Sequence, residues 1–139
     1  MYAADTRVPV SQSRAEIERL LDKHKAAQYG TAVDYEKALA QVQFKLKDRT
    51  IRFRVSLPDK KKLGEGERYE RAHRQRWRAL LLVLKAKLES FENGIETFEE
   101  VFLAHIVLPN DRTVGDFVVP QIARMYDTGK MLTDGKGEA

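Results

Sequence analysis

Two runs of alternating apolar and polar residues lie within LAQVQFKLKDRTIRFRVSL, residues 39–57. The second run, residues 50–57, places an apolar side chain at every odd position. The first run, residues 39–47, keeps the same period after one slip at Ala40 and Gln41. A period of two is typical of a β-strand with one buried face. The stretch therefore predicts a β-hairpin with one face in the core.

One face of this hairpin carries four cations and no anion. We predict a two-residue turn at Asp48 and Arg49, which places Lys45 directly opposite Arg52 on that face. Like charges that face each other destabilise a strand pair by roughly a few tenths of a kcal/mol. Such a conflict without visible compensation is expected mainly at functional sites. The face therefore indicates a ligand with negative charge.

The residues before the hairpin predict a helix and a further strand. Ser13 and Glu16 have the spacing of a capping box, and apolar residues then recur on one helical face until about Lys25. Gly30 is expected to break this element, and residues 31–37 then form the first strand. The sheet is therefore predicted to be a three-stranded antiparallel meander.

The residues after the hairpin predict a basic loop and a long helix. Pro58 ends the third strand, and residues 59–66 form a loop with three consecutive lysines. From Glu67 an apolar stripe at helical spacing continues for about 26 residues, which is roughly 39 Å of helix.

Two shorter helices are predicted in the last third of the chain. Thr97 and Glu100 repeat the spacing of a capping box, and that helix ends before Pro109. A further helical stretch is broken or starts again near Pro120 and ends at Gly129. The fold class is therefore α+β, with an N-terminal helix, a three-stranded antiparallel meander, a long amphipathic helix and two shorter C-terminal helices.

Length and composition predict one domain. The 139 residues suffice to bury a core without disulfides or bound metal ions. We assign residues 1–129 to this domain and residues 130–139 to a flexible tail. The chain has no cysteine, no apolar run long enough to cross a bilayer and no secretory signal in residues 1–10. We therefore expect a cytoplasmic protein without a membrane partner.

No catalytic, metal or cofactor motif is present in the sequence. His24, His73 and His105 lie on three different predicted helices, and none has a second histidine one turn away. His73 and His105 are each expected to pack at the edge of the core. Phosphate-binding loops and nucleophile elbows are also missing. We predict a non-enzymatic function without cofactors or metals, while a catalytic site built from distant residues is left open.

Positive charge is concentrated in the middle of the chain. Residues 45–87 hold 15 Lys and Arg against 5 Asp and Glu, a local balance of +10, so the rest carries −6 of the net +4. Such a block attracts polyanions. On the long helix, arginines recur every three or four residues beside Tyr69, His73 and Trp77, which interleaves basic and aromatic groups.

These cations predict a nucleic-acid-binding surface. They supply contacts to phosphates, with few residues suited to base edges, so binding is expected to depend on salt and only weakly on sequence. Single strands would also stack on exposed aromatics, for which Tyr35 and Tyr69 are candidates. The predicted binding residues are Lys45, Lys47, Arg52, Arg54, Lys60, Lys61, Lys62, Arg68, Tyr69, Arg71, Arg74 and Arg78.

Three stretches resemble a family of uncharacterised phage and prophage proteins. They are VPVSQSRAEIERLL at residues 8–21, RWRALLLVLKAKLE at 76–89 and TFEEVFLAHIVLPNDRTVG at 97–115. The resemblance implies a phage origin and action in the cytoplasm of the host cell, and it implies no particular activity.

Two functions are therefore expected. The first is a sequence-nonspecific nucleic-acid-binding protein, with single-stranded DNA as the favoured ligand, in phage replication or recombination. The second is an interaction protein that inhibits or redirects a host factor such as the transcription or defence machinery. The sequence leaves open whether the ligand is DNA or RNA and whether it is single- or double-stranded. It also leaves open whether the protein forms a homo-oligomer.

Overall fold

The computed structural model describes residues 6–132 as a three-stranded antiparallel sheet with helices packed on its inner face. In chain order the elements are α1 (Val10–Lys23), β1 (Gln28–Asp34), β2 (Leu39–Leu46), β3 (Arg49–Ser56), α2 (Lys60–Leu63), α3 (Glu67–Glu92), α4 (Phe98–Phe102) and α5 (Val114–Thr128). This order confirms the predicted α+β class. Of the predicted tail, residues 130–132 follow α5 without helix or strand, and residues 133–139 lie outside the described residues.

The turn of the β2–β3 hairpin lies one residue earlier than the sequence predicts. Lys47 and Asp48 occupy it, with φ angles of 54° and 59°. Positive φ at both central residues is the backbone that matches the twist of the flanking strands. Arg49, which the sequence assigned to the turn, therefore begins β3.

The register of the hairpin changes with the turn. Lys45 pairs with Thr50, and Arg52 pairs with Gln43. The predicted like-charge pair of Lys45 and Arg52 is therefore wrong. Gln43 Oε1 instead accepts a hydrogen bond from Arg52 Nε at 2.9 Å. The observed pairing differs from the predicted pairing by two residues at every position. Since side chains alternate with a period of two, every side chain stays on its predicted face of the sheet.

β2 alternates without the slip that the sequence suggested. Ala40, Val42 and Phe44 are all buried, while Leu39 lies on the outer face of the sheet. A small alanine completes the inward period, and a pattern based on large apolar residues does not reveal it. In β3 the odd-numbered apolar residues face the core as predicted.

α1 and β1 both begin earlier than predicted. α1 starts directly behind Pro9, so Ser13 lies inside the helix and is buried instead of capping it. Pro9 has a φ of −59°, and proline sets this angle before the first helical turn. The chain reverses at Lys25, whose φ is 64°. β1 then starts at Gln28 and includes Gly30, which the sequence assigned to a break.

The core lies between the inner face of the sheet and one stripe of α3. Trp77 is only 1% exposed, and Leu84 and Leu88 are fully buried. α1 contributes Ile17 and Leu21 to the same cluster. Burial of a large apolar side chain of this kind stabilises the fold by about 1.5 to 3 kcal/mol. The helical stripe predicted from the sequence therefore belongs to the same core as the inner face of the sheet.

α4 is shorter than the helix predicted around it. Its capping box forms as predicted, since Thr97 Oγ1 accepts a hydrogen bond from Glu100 N and Glu100 Oε1 accepts one from Thr97 N. After Phe102 the chain tightens into a 3₁₀ turn, Leu103–His105. The backbone then leaves the helix to pair with the sheet.

The segment after this turn covers the outer edge of β3. Val107 N donates a hydrogen bond to Thr50 O at 2.8 Å, and Ile106 forms an isolated bridge with Ile51. These backbone bonds replace the last helical turn that the sequence predicted. The edge of β3 is therefore paired.

α5 is continuous through Pro120, where the sequence predicts a break or a new start. A proline leaves the carbonyl four residues earlier without its helical donor. That carbonyl, Asp116 O, accepts a hydrogen bond from Arg112 Nη2 at 3.1 Å. The arginine therefore compensates for the missing backbone donor. α5 ends at Gly129 with a φ of 74°, as predicted.

α5 contributes no fully buried residue to the core. Its main neighbour is the 3₁₀ turn, against which Gly115 packs so closely that a Cβ would lie 2.9 Å from Ala104 O. Along the remaining helix, apolar side chains share one face that is only partly covered. We call this face the α5 stripe, and it consists of Val118, Val119, Ile122, Met125 and Tyr126.

The turn assignment predicts which substitutions stabilise the hairpin. Lys47→Asn with Asp48→Gly should raise the free energy of unfolding by about 0.5 to 1 kcal/mol, because these residues adopt positive φ more easily. Urea denaturation measures the difference.

The shifted pair Asp48→Asn with Arg49→Gly is the matched control. It should destabilise the protein, because Arg49 lies in β3 and its Nη2 is 3.1 Å from Glu99 Oε2. Stabilisation by the shifted pair, and not by the first, would show that the turn is at residues 48 and 49.

Candidate nucleic-acid interface

The outer face of the sheet is less basic than the sequence indicates. Arg52 Nη2 lies 2.8 Å from Asp111 Oδ1, and Arg54 Nη2 lies 2.7 Å from Asp116 Oδ1. The acidic partners come from the segment before α5 and from α5 itself. Two of the four predicted sheet cations are therefore neutralised within the protein.

The Arg54–Asp116 pair also fixes the start of α5. Asp116 belongs to a capping box with Thr113, whose N donates a hydrogen bond to Asp116 Oδ2 at 3.1 Å. The hydrogen bond from Arg54, together with that from Thr113 N, lowers the pKa of Asp116 from 3.8 to about 2. The carboxylate is charged at neutral pH and holds α5 against β3.

The other two sheet cations have different surroundings. Lys45 is exposed on the outer face of β2. Lys47 lies in the turn, and its Nζ is 5.5 Å from the centre of the Phe91 ring near the end of α3. Of the four predicted sheet cations, two are therefore paired with carboxylates and one lies beside an aromatic ring.

Two arginines of α3 are engaged in ion pairs. Arg74 Nη2 lies 3.2 Å from Glu67 Oε1. Arg78 Nη1 lies 2.9 Å from Glu16 Oε2, which connects α3 to α1. The role of Arg78 is thus explained by the packing of the two helices.

The remaining predicted cations are exposed. The three lysines form α2, a short helix where the sequence predicts a loop, and Asp59 Oδ1 caps it by accepting a hydrogen bond from Lys61 N at 2.9 Å. Lys61, Lys62, Arg68 and Arg71 are exposed, and none of their side chains forms an ion pair within residues 6–132. They are available to an external anion.

A cleft opens where the segment before α1, the β1–β2 turn, α2 and the start of α3 meet. Its volume is about 550 Å³. Cations and aromatic rings dominate its lining, and one carboxylate is present. We call it the α3 cleft, and its lining residues are Arg7, Pro9, Val10, Tyr35, Lys60, Tyr69, Glu70, His73 and Arg74.

The two tyrosines of the cleft have opposite exposure. Tyr69, predicted to stack on bases, is only 4% exposed, and Lys60 Nζ lies 5.2 Å from the centre of its ring. Tyr35 is 64% exposed. The stacking role predicted for Tyr69 therefore does not fit its position, whereas Tyr35 is accessible.

The floor of the α3 cleft is an uncharged aromatic cluster. The ring of His73 lies 5.6 Å from that of Tyr69 and meets the ring of Tyr35 edge-on at 6.4 Å. His73 Nε2 accepts a hydrogen bond from Trp77 Nε1 at 3.3 Å. Burial lowers the pKa of His73 below its usual value, which favours the neutral ring at neutral pH. The positive charge of the cleft is therefore at its rim.

Arg7 is the cleft residue that the sequence analysis missed. It is exposed and lines the rim opposite α3. Arg7 lies outside the basic segment at residues 45–87, and no sequence pattern around residue 7 indicates a binding site.

The three histidines have separate neighbours. His105 stacks on Phe53 with ring centres 3.8 Å apart, and His24 lies 3.9 Å from Glu92. In residues 6–132 no group of three or more potential ligands is placed to hold a metal ion.

No helix in this range combines the length and apolar character needed to cross a membrane.

Comparison with known proteins identifies no relative. No family model matches the chain, and neither a curated protein nor a solved structure is significantly similar to it. The function must therefore be inferred from the site alone.

The pKa of Asp116 predicts a pH dependence of stability. A carboxyl whose pKa is lower in the folded state stabilises the fold above its unfolded pKa, 3.8, and loses this contribution as the pH falls through about 2. The free energy of unfolding should therefore fall more steeply between pH 4 and pH 2 in the wild type than in Asp116→Asn.

Urea denaturation at a series of pH values measures this slope. Arg54→Gln keeps the titrating carboxyl and removes its strongest partner, so it should show an intermediate slope. Identical slopes in all three proteins would contradict the ion pair.

Proposed function

We propose that this protein is a non-enzymatic, sequence-nonspecific nucleic-acid-binding protein that prefers single strands. The observation that carries the proposal is the exposed ring of Tyr35 above an aromatic floor, with Arg7 and Lys60 at the rim of the same cleft. A phage protein of this kind would act on DNA during replication or recombination in the host cytoplasm.

The chemistry of the α3 cleft suits an unpaired nucleotide. A base has a π-face that can stack on Tyr35, and such a stack is worth about 1 to 3 kcal/mol. The phosphate that follows would be attracted to the cations at the rim. Proteins that bind single strands without sequence preference combine these two elements.

Further cations extend the surface beyond the cleft. Lys61 and Lys62 continue from the rim along α2, and Arg71 follows Glu70 on α3. They can contact neighbouring phosphates, which adds affinity without sequence information. Arg52 and Arg54 are left out of this surface, because internal carboxylates already neutralise them.

A second candidate function is supported by the α5 stripe. Val119, Ile122 and Tyr126 are 60%, 41% and 87% exposed on one face of a helix that has no fully buried residue. Clustered apolar exposure of this kind is typical of protein-binding sites. A host protein with an apolar groove could bind the helix through residues one turn apart.

Charge reversal at the rim tests the first function. Arg7→Glu with Lys60→Glu should weaken binding of a labelled single-stranded DNA at least tenfold at low salt. The slope of log affinity against log salt should become shallower by about 1.4, since each phosphate contact to a single strand contributes about 0.7. Fluorescence anisotropy at about 50 and about 200 mM salt measures both quantities.

Arg124→Glu with Lys130→Glu is the matched control. It makes the same change in net charge at the end of α5, and it should leave affinity within about threefold if local contacts dominate over net charge. Tyr35→Ala should weaken single-strand binding by about 1 to 3 kcal/mol and leave duplex binding unchanged. Equal losses in the two charge variants would refute the assignment to the cleft.

Substitution in the α5 stripe tests the second function. Ile122→Asp should leave the free energy of unfolding within about 0.5 kcal/mol of wild type, because the side chain is outside the core. It should also abolish recovery of a specific protein from nuclease-treated host lysate. Val83→Asp, at an exposed apolar residue of α3, is the control. If both variants recover the same amount of the host protein, the α5 stripe is not its binding site.

A further inference from the structure

The two edges of the sheet are protected to different degrees. The edge of β3 is paired with the segment around Val107, whose N donates to Thr50 O at 2.8 Å. In the part of the chain that the structure describes, β1 pairs only with β2. Within residues 6–132, no other backbone group bonds to its far edge. β1 is therefore the open edge of the described sheet.

The hydrogen-bond pattern fixes which residues present their backbone at this edge. Leu57 N donates to Ala38 O at 2.8 Å, in register with the β2–β3 ladder. Since hydrogen-bonded pairs alternate along an antiparallel ladder, even-numbered residues of β2 bond to β3 and odd-numbered ones to β1. The register of β1 then directs the N–H and C=O groups of Tyr29, Thr31 and Val33 outward.

The sequence of β1 lacks the features that usually block an open edge. Natural edge strands carry Lys, Pro or bulges, or they are very short. β1 is seven residues long, contains no Lys, Arg or Pro, and pairs with β2 in one unbroken register from Gln28 to Asp34. Its one charged residue, Asp34, is at the end of the strand. The edge is therefore free to accept another strand.

We propose that β1 pairs with β1 of a second copy of this chain in an antiparallel arrangement. The two-fold axis passes beside Thr31, so Thr31 of one copy faces Thr31 of the other. Tyr29 faces Val33 on either side, and all three pairs exchange backbone hydrogen bonds. The result is a continuous six-stranded sheet.

The partner strand is assigned to a second copy of β1 because the sequence of β1 is complementary to itself. On the inner face the pairing sets Tyr29, which is 38% exposed, against the β-branched Val33, a favourable cross-strand combination. On the outer face Gly30 meets Ala32, and neither is large enough to clash. At the ends Asp34 meets the amide of Gln28, so no charged side chain of β1 faces a like charge of the other β1.

Paired substitutions on the outer face test this interface. Gly30→Lys with Ala32→Lys sets two introduced lysines opposite each other at both positions of the two-fold pairing. Gly30→Lys with Ala32→Glu sets opposite charges there instead. A Cβ at Gly30 would meet nothing within 4 Å, and Ala32 is exposed, so the isolated fold should accept both variants.

Sedimentation equilibrium across the micromolar range measures association, and circular dichroism confirms that each variant is folded. The wild type and the Lys/Glu variant should dimerise, and the Lys/Lys variant should dissociate at least tenfold more readily. Amide exchange at Thr31 and Val33 should slow as the concentration of the wild type rises.

Two outcomes would overturn the proposal. One is a wild type that stays monomeric throughout the range. The other is a dimer that the Lys/Lys substitutions do not weaken, because its interface would then lie elsewhere. Neither outcome concerns the α3 cleft, so DNA binding is tested separately.

Discussion

The rest of the molecule depends on the packing of α3 against the inner face of the sheet. A sheet with one apolar face must bury that face against another element, because apolar surface left in water costs free energy. The stripe that contains Trp77, Leu84 and Leu88 provides this cover. The same stripe continues toward the start of α3 as His73 and Tyr69, where it leaves the sheet and becomes the floor of the α3 cleft. Core and candidate site are therefore two parts of one helix face, connected by the hydrogen bond from Trp77 to His73.

Internal ion pairs divide the positive charge into two classes. Arg52, Arg54 and Arg78 contact carboxylates on other elements and join those elements together. The cations on α2 and at the rim of the cleft are exposed and can serve an external anion. A charge count along the chain cannot separate the classes, because the acidic partners of Arg52 and Arg54 lie about 60 residues away in sequence.

Two elements, α5 and β1, expose groups that the described fold does not cover or pair. The α5 stripe leaves apolar side chains exposed although Arg112 and the Thr113–Asp116 capping box hold the helix in a defined position. β1 leaves backbone donors and acceptors unpaired at its outer edge. A single chain of this size has too few elements to cover every face of a three-stranded sheet and five helices. The two assemblies proposed above, one at the α5 stripe and one at the edge of β1, would cover part of the remainder.

The sequence alone determined the α+β order, the stripe of α3, the capping box at Thr97 and the inward face of β3. These features depend on neighbours within one or two turns, and local periodicity reports such neighbours directly. Tertiary structure decided the rest. Only packing set the hairpin turn at residues 47 and 48, buried Tyr69 while exposing Tyr35, and brought Arg7 to the cleft. It also neutralised two of the four sheet cations, Arg52 and Arg54. Contacts between residues far apart in sequence leave no periodic signal along the chain, so the sequence could not reveal them.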